Sequence, residues 1–132
     1  MKGLKEYLME NVDDLHSIKS DKDKESDTKF VESQIKIYPL VLRWVRLYIL
    51  PLKQKTYNHT TTSYGLKHKC ENMIGRYVWN ETMKYAMMEV GFIPKGSINH
   101  TYQLNNRGIN ILYKKASINH GIFTDFPELM KK

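Results

Sequence analysis

Two glycines, Gly75 and Gly91, constrain this chain most, because each ends a run of apolar residues with helical spacing. Leu66, Cys70, Met73 and Ile74 recur at i, i+4, i+7 and i+8, with Ser63 placed as an N-cap and Gly75 as the stop. A short turn, Arg76-Tyr77-Val78-Trp79, follows. Asn80 then caps a second run, Met83, Ala86, Met87 and Val90 at i, i+3, i+4 and i+7, with Glu81 in the first turn and Gly91 just past the end. The spacing predicts a helix, a turn and a second helix.

Past Gly91 the period changes to two. Ile98, His100, Tyr102 and Leu104 alternate with polar residues, and Ile109, Ile111 and Tyr113 form a second alternating set. Between them lies Asn105-Asn106-Arg107-Gly108, whose Asn and Gly residues suit a turn. The simplest assembly is a β-hairpin against the end of the second helix. The predicted class is therefore α+β, mainly helical with one small β-hairpin, in a winged helix-turn-helix layout that sends the second helix into a DNA groove.

The run Met83-Lys84-Tyr85-Ala86-Met87-Met88-Glu89-Val90-Gly91-Phe92, with Tyr102 and Gly108-Ile109-Asn110-Ile111, resembles the small winged-helix units that end many phage and plasmid primase-helicases. In those units a helix ends in Gly-aromatic before a basic loop and a Tyr-rich hairpin. The resemblance covers residues 64–113 and includes no catalytic motif. It implies a free-standing module that binds nucleic acid or protein partners and performs no chemistry.

Charge is divided along the chain. Residues 1–34 hold six Lys against nine Asp/Glu, whereas residues 35–132 hold fifteen Lys/Arg against five Asp/Glu. A basic body behind an acidic front favours a polyanionic partner, nucleic acid being the commonest. The single cysteine, Cys70, rules out an internal disulfide and has no metal-ligand spacing to His68. The N-terminus turns acidic at Glu6 and lacks the apolar core of a signal peptide, so a cytoplasmic protein is expected. In that setting the Asn-x-Thr sequons at Asn58, Asn80 and Asn99 are coincidental.

Before the central unit, residues 3–18 read as an amphipathic helix and 19–27 as a polar loop or solvated helical link. Asp13-Asp14 and the pair Asp21 and Asp23 lack the spacing of an EF-hand, and a solvated face is the favoured reading. Phe30 to Ile37 open a helical segment that Pro39 either kinks or restarts. Leu40 to Leu50, stopped by Pro51, contains Arg43 and Arg46 and is too short and too charged to span a bilayer, so a core helix is expected. Its arginines, with Lys36, form a polar stripe that faces solvent, contacts phosphate or pairs with the acidic front. Leu52 to Thr62 reads as a basic, Thr-rich connector whose approach to a helix N-terminus suits either phosphate contact or plain capping. The expected organisation is a helical region over 1–62, a winged helix-turn-helix over 63–115 and a tail over 116–132 that completes the core or makes a dimer contact.

No catalytic constellation is visible: no Gly-rich phosphate loop, no placed nucleophile and base, no His-Glu-x-x-His. Cys70 lies on the apolar stripe and reads as a small buried residue. The chain is thus expected to be no enzyme, to need no cofactor or metal, and to make no membrane contact. The exposed face of the second helix is predicted to carry Asn80, Glu81, Lys84, Tyr85 and Met88. The candidate nucleic-acid-binding residues are Lys67, Lys69, Arg76, Asn80, Lys84, Tyr85, Lys95, Arg107, Lys114 and Lys115, with Arg107 at the tip of the wing. The expected function is a nucleic-acid-binding protein of a phage or mobile element, contacting DNA or an RNA–protein complex, with a homodimer as an open possibility. The alternative is an inhibitor that binds a host protein partner, a nuclease or nucleoprotein complex, as anti-CRISPR proteins do.

Overall fold

The computed structural model describes residues 2–13, 21–96 and 99–118, without the side chains of 13, 21–23 and 115–118. Helix α1 (Leu4–Asp13) is followed by the long helix α2 (Asp21–Trp44). Pro39 lies inside α2 without ending it. Helical geometry then widens into a π turn over Val45–Ile49, where Leu50 donates its N–H to the Val45 carbonyl five residues back. A 3₁₀ turn at Leu50–Leu52, with Pro51 in its first positions, ends the helical run.

The next ten residues are extended. Strand β1 (Lys53–Thr62) leads into α3 (Ser63–Ile74), a turn, α4 (Asn80–Val90), strand β2 (Thr101–Leu104) and α5 (Asn106–Ile118). Thr62, one residue earlier than expected, caps α3 by accepting a hydrogen bond from the Gly65 N–H. Gly75 (φ 71°) and Gly91 (φ 103°) close α3 and α4 in the left-handed conformation that glycine adopts without steric cost. Asn80 begins α4, whose cap residue is Trp79, with no side-chain capping bond.

The class is α+β, mainly helical with one small two-stranded antiparallel sheet. Its pairing departs from the local expectation. Strand β2 pairs with β1, in the register Lys53 with Leu104, Asn58 with Tyr102 and Thr62 with Thr101. The register shifts between these pairs mark bulges.

Residues 109–113, read from sequence as a second wing strand, are helical. Asn105 caps α5 through its Oδ1, which accepts from the Gly108 N–H at 2.8 Å. Ile109 and Leu112 are then buried on one side while Ile111 is exposed on the other. The Asn-Asn-x-Gly stretch that suits a turn also suits a helix start, because Asn side chains satisfy free backbone N–H groups in both. The 53–62 connector becomes a strand because its Thr and Tyr residues find a partner edge in β2.

One apolar cluster runs from Ile37 to Leu112 and takes side chains from α2 through α5. Trp44 is at its centre, fully buried, its indole N–H directed at Met73 Sδ at 3.2 Å. A smaller cluster joins Leu8 and Val12 of α1 to Val31 of α2. The buried Gln34 ties α2 to the α3–α4 turn: its Oε1 accepts from Trp79 N–H at 2.9 Å and Thr82 Oγ1 at 2.7 Å, and its Nε2 donates to the Tyr77 carbonyl at 3.3 Å. Among the described residues, no helix is long and apolar enough to cross a membrane. The expected 19–27 link is helical from Asp21 on, as the first turns of α2, while the 14–18 end of the expected first helix, residues 19–20 and the 119–132 part of the expected tail lie outside the described residues.

Candidate nucleic-acid interface

Helix α4 is the helix a winged unit would send into a groove, yet its polar side chains Thr82, Lys84 and Tyr85 are turned into the protein. Lys84 is buried, with its Nζ 3.0 Å from Glu81 Oε2. Glu81 also accepts a hydrogen bond from Tyr7 of α1 at 3.0 Å. Tyr85 is buried between Tyr7 and Tyr38, with ring centroids 5.4 and 5.6 Å away, and its hydroxyl donates to the Lys2 carbonyl at 2.6 Å. The expected exposed face of α4 is therefore covered by α1 and α2. Asn80 is half-buried and donates to Asn99 Oδ1 at 3.1 Å.

Lys67 of α3 is buried as well. Its Nζ lies 2.7 Å from Glu71 and 4.5 Å from the centroid of the Tyr77 ring. The same Glu71 oxygen accepts the Val78 N–H, so this pair fastens the turn after α3. Cationic side chains survive burial where a carboxylate and hydrogen bonds compensate them, and both lysines meet that condition.

Of the remaining predicted cations, Arg76, Lys95, Arg107 and Lys114 face solvent and Lys69 is half-buried. Arg76 is exposed in the α3–α4 turn, and Lys69 lies with its Nζ 4.8 Å from the Tyr113 ring centroid. Arg107 is exposed in the first turn of α5, and Lys114 is exposed on that helix; the side chain of Lys115 lies outside the described residues. Arg107 is thus not at a hairpin tip. Its neighbour Asn106 accepts hydrogen bonds from Asn58 Nδ2 at 3.2 Å and Thr60 Oγ1 at 3.3 Å, which places the start of α5 against the middle of β1.

Lys95 joins this surface from the loop after α4. Its backbone exchanges hydrogen bonds with Thr101 at 3.0 and 2.8 Å, and its Nζ lies 4.2 Å from the Tyr57 ring centroid. Tyr57 in turn donates to the Ile93 carbonyl at 3.0 Å. Lys53 reaches to 5.3 Å from the Phe92 ring centroid, and Lys55 is exposed two residues along. Along β1, Lys53 and Lys55 are exposed and Tyr57 is half-buried. The strand and the loop therefore present Lys53 over the buried Phe92 and Lys95 over Tyr57, with Lys55 exposed along β1.

No acidic residue occurs in 33–70 or 90–124. The sheet, the 91–96 loop and the described part of α5 consequently contain no carboxylate, and Lys53, Lys55, Lys95, Arg107 and Lys114 make no ion pair with a described residue. Lys53, Lys55 and Tyr57 are not among the sequence-predicted candidates because they read as connector. The alternation Lys-Gln-Lys-Thr-Tyr running into Thr60-Thr61-Thr62 was the signal of a strand.

The titratable groups of the interior are shifted by burial. Burial raises the Tyr7 hydroxyl well above its usual range, and Glu81 beside it adds to the effect. Tyr38 is raised by burial and by its hydrogen bond to Glu89 at 2.7 Å. Cys70 is fully buried and its thiol is pushed up, which suits a packing residue. Among the described residues, no group of three or more His, Cys, Asp or Glu is placed to hold a metal ion. No protein-family model matches the chain, and neither the curated proteins nor the solved structures give a match.

Proposed function

We propose that this protein is a non-enzymatic, cytoplasmic nucleic-acid-binding module of the mobile-element kind, and that it grips the phosphate backbone with its sheet and α5. One observation carries this reading: Lys53 over Phe92, Lys95 over Tyr57 and the exposed Lys55 lie in segments that contain no carboxylate. Cations over aromatic rings in an acid-free surface suit a backbone that presents alternating phosphates and bases. Groove reading by α4 is not part of the proposal, since Lys84 and Tyr85 are committed to the interior.

Fluorescence-anisotropy titration of a random duplex and of single-stranded DNA across a salt series tests it. The expected result is an affinity that falls linearly in log salt and is lost in the double variant Lys53→Glu, Lys55→Glu. No binding at low salt would overturn it.

A second reading, binding of a host protein, is supported by a different feature. Leu47, Leu50 and Ile111 are large apolar side chains left exposed, and Leu47 and Ile111 flank a groove of about 250 Å³ between the π turn and α5. Solitary exposed leucines are common, but three in one region of a small domain suit a protein contact. Loss of a host-protein pull-down in Leu47→Asp with DNA binding retained would favour this reading over the first.

A further inference from the structure

We infer that the wedge between α2 and the α3–α4 turn is a binding site for a nucleotide, that is, for an unpaired base with its phosphate. The wedge has a volume of about 290 Å³ and is lined by Phe30, Ser33, Lys36 and Ile37 of α2 and by Arg76 and Tyr77 of the turn. That volume is at the lower end of the range for small-ligand sites.

Its walls supply both halves of a nucleotide-binding chemistry. Phe30 and Tyr77 are 6.2 Å apart between ring centroids and tilted by 49°, a touching pair whose solvent-facing side offers a ring surface on which a flat ring can stack. Tyr77 is 55% exposed, a large aromatic surface left in water by a turn that is otherwise anchored. Lys36 and Arg76 are exposed at the rim, and neither makes an ion pair with a described residue. Among the described residues, no carboxylate lines the wedge. A ring that stacks and a phosphate that meets two cations satisfy this arrangement together, whereas a neutral aromatic ligand leaves the cations unused and inorganic phosphate leaves the rings unused.

The site is also built rather than incidental. Gln34 spends both ends of its amide on Tyr77, Trp79 and Thr82, which fixes the floor and the position of the turn. Lys67 holds the Tyr77 ring from the protein side at 4.5 Å. Phe30 is braced edge-on by Trp79 at 5.2 Å. The lining offers few directional donors for base edges, the Ser33 hydroxyl being already given to the Phe30 carbonyl at 2.6 Å, so recognition is by stacking and charge and tolerates any base.

A free mononucleotide and an unpaired unit of a strand carry this same chemistry. The second source rests on the nucleic-acid reading above; the first does not. The test is an NMR titration of the full chain with AMP, UMP, ribose 5-phosphate and a short oligothymidylate. The expected result is that a base-bearing ligand shifts the amides of Phe30, Ser33, Lys36 and Tyr77, while ribose 5-phosphate leaves them in place. Shifts from AMP and UMP assign the free nucleotide; shifts from oligothymidylate alone assign the strand.

Tyr77→Ala is expected to weaken that binding about tenfold, the loss of one base–aromatic stack. Lys36→Glu with Arg76→Glu, both exposed and safe for folding, is expected to abolish it. The proposal is overturned if no base-bearing ligand moves these amides, or if all three changes leave its affinity as in the parent. The sheet variant Lys53→Glu, Lys55→Glu separates the two readings. If it abolishes duplex binding while the Tyr77 and rim variants change nothing, the wedge falls alone; if mononucleotide shifts persist while the sheet variant leaves duplex binding intact, the sheet reading falls alone.

Discussion

Lys84 Nζ lies 3.0 Å from Glu81 Oε2, one helical turn away on α4, and both side chains are largely removed from water. The pair explains how a helix with a cationic, Tyr-bearing sequence face packs inward. Glu81 holds Lys84 with one oxygen and Tyr7 of α1 with the other, so α1, α4 and the buried cation form one unit. Truncating one partner leaves the other buried and uncompensated. Lys84→Ala should therefore destabilise the protein by about 3 kcal/mol, read from urea unfolding, while duplex affinity of the folded fraction stays as in the parent.

His100 supplies the pH dependence. Burial is the main cause that lowers its pKa from 6.5; Lys84 adds to the lowering and Glu81 opposes it, while Tyr102 Oη stands 3.4 Å from its Nδ1. The folded state thus binds a proton on His100 less readily than the unfolded chain does. Its contribution to stability is complete above pH 6.5 and is lost as the pH falls from there through the lowered folded value. Urea midpoints across this range should fall with acid in the parent and fall less in His100→Gln. Equal slopes in the two proteins would refute the assignment.

The cap of α5 gives a test of the helix itself. Asn105 Oδ1 accepts from the Gly108 N–H at 2.8 Å, and Asn105→Ala removes this bond. A cost of about 1 kcal/mol is expected, with loss of helical signal in far-UV circular dichroism. Were these residues a hairpin turn instead, the helical signal would not change.

On the sheet, Lys53 and Lys55 should behave as phosphate contacts. Each change to Ala should reduce the slope of log affinity against log salt by about 0.9 for duplex DNA. Affinity should drop to a similar degree on unrelated sequences, because these side chains carry no base readout. A variant that changed sequence preference with an unaltered slope would contradict the role given to these lysines.

Several features of the fold could be read directly from residues. Gly75 and Gly91 end their helices as their spacing required, because a left-handed terminus is a local property of the backbone and glycine alone enters it freely. Cys70, Met73 and Ile74 are buried together because a stripe at helical spacing must face something apolar. Tyr102 and Leu104 point inward from β2 for the corresponding reason at period two. The division between an acidic front and a basic body was likewise explicit in the residues.

The structure of 105–113 was ambiguous locally, since Ile109, Ile111 and Tyr113 alternate while Ile109, Leu112 and Tyr113 also fit a helical face. Which pattern applied depended on whether β2 found another strand, and that strand, β1, lies some forty residues earlier. The site residues divided on similar grounds. Lys67, Lys84 and Tyr85 have the chemistry of nucleic-acid contacts, but whether a cation is exposed depends on its surroundings. For Lys84 these include Tyr7, whose hydrogen bond to Glu81 spans 74 positions. The sequence by itself determined where helices end, which stripes are apolar and where charge accumulates, because these follow from neighbours along the chain. Only the tertiary structure decided which strand pairs with β2, which lysines are neutralised inside and which remain on the sheet, because pairing and desolvation are set by residues distant in sequence and close in space.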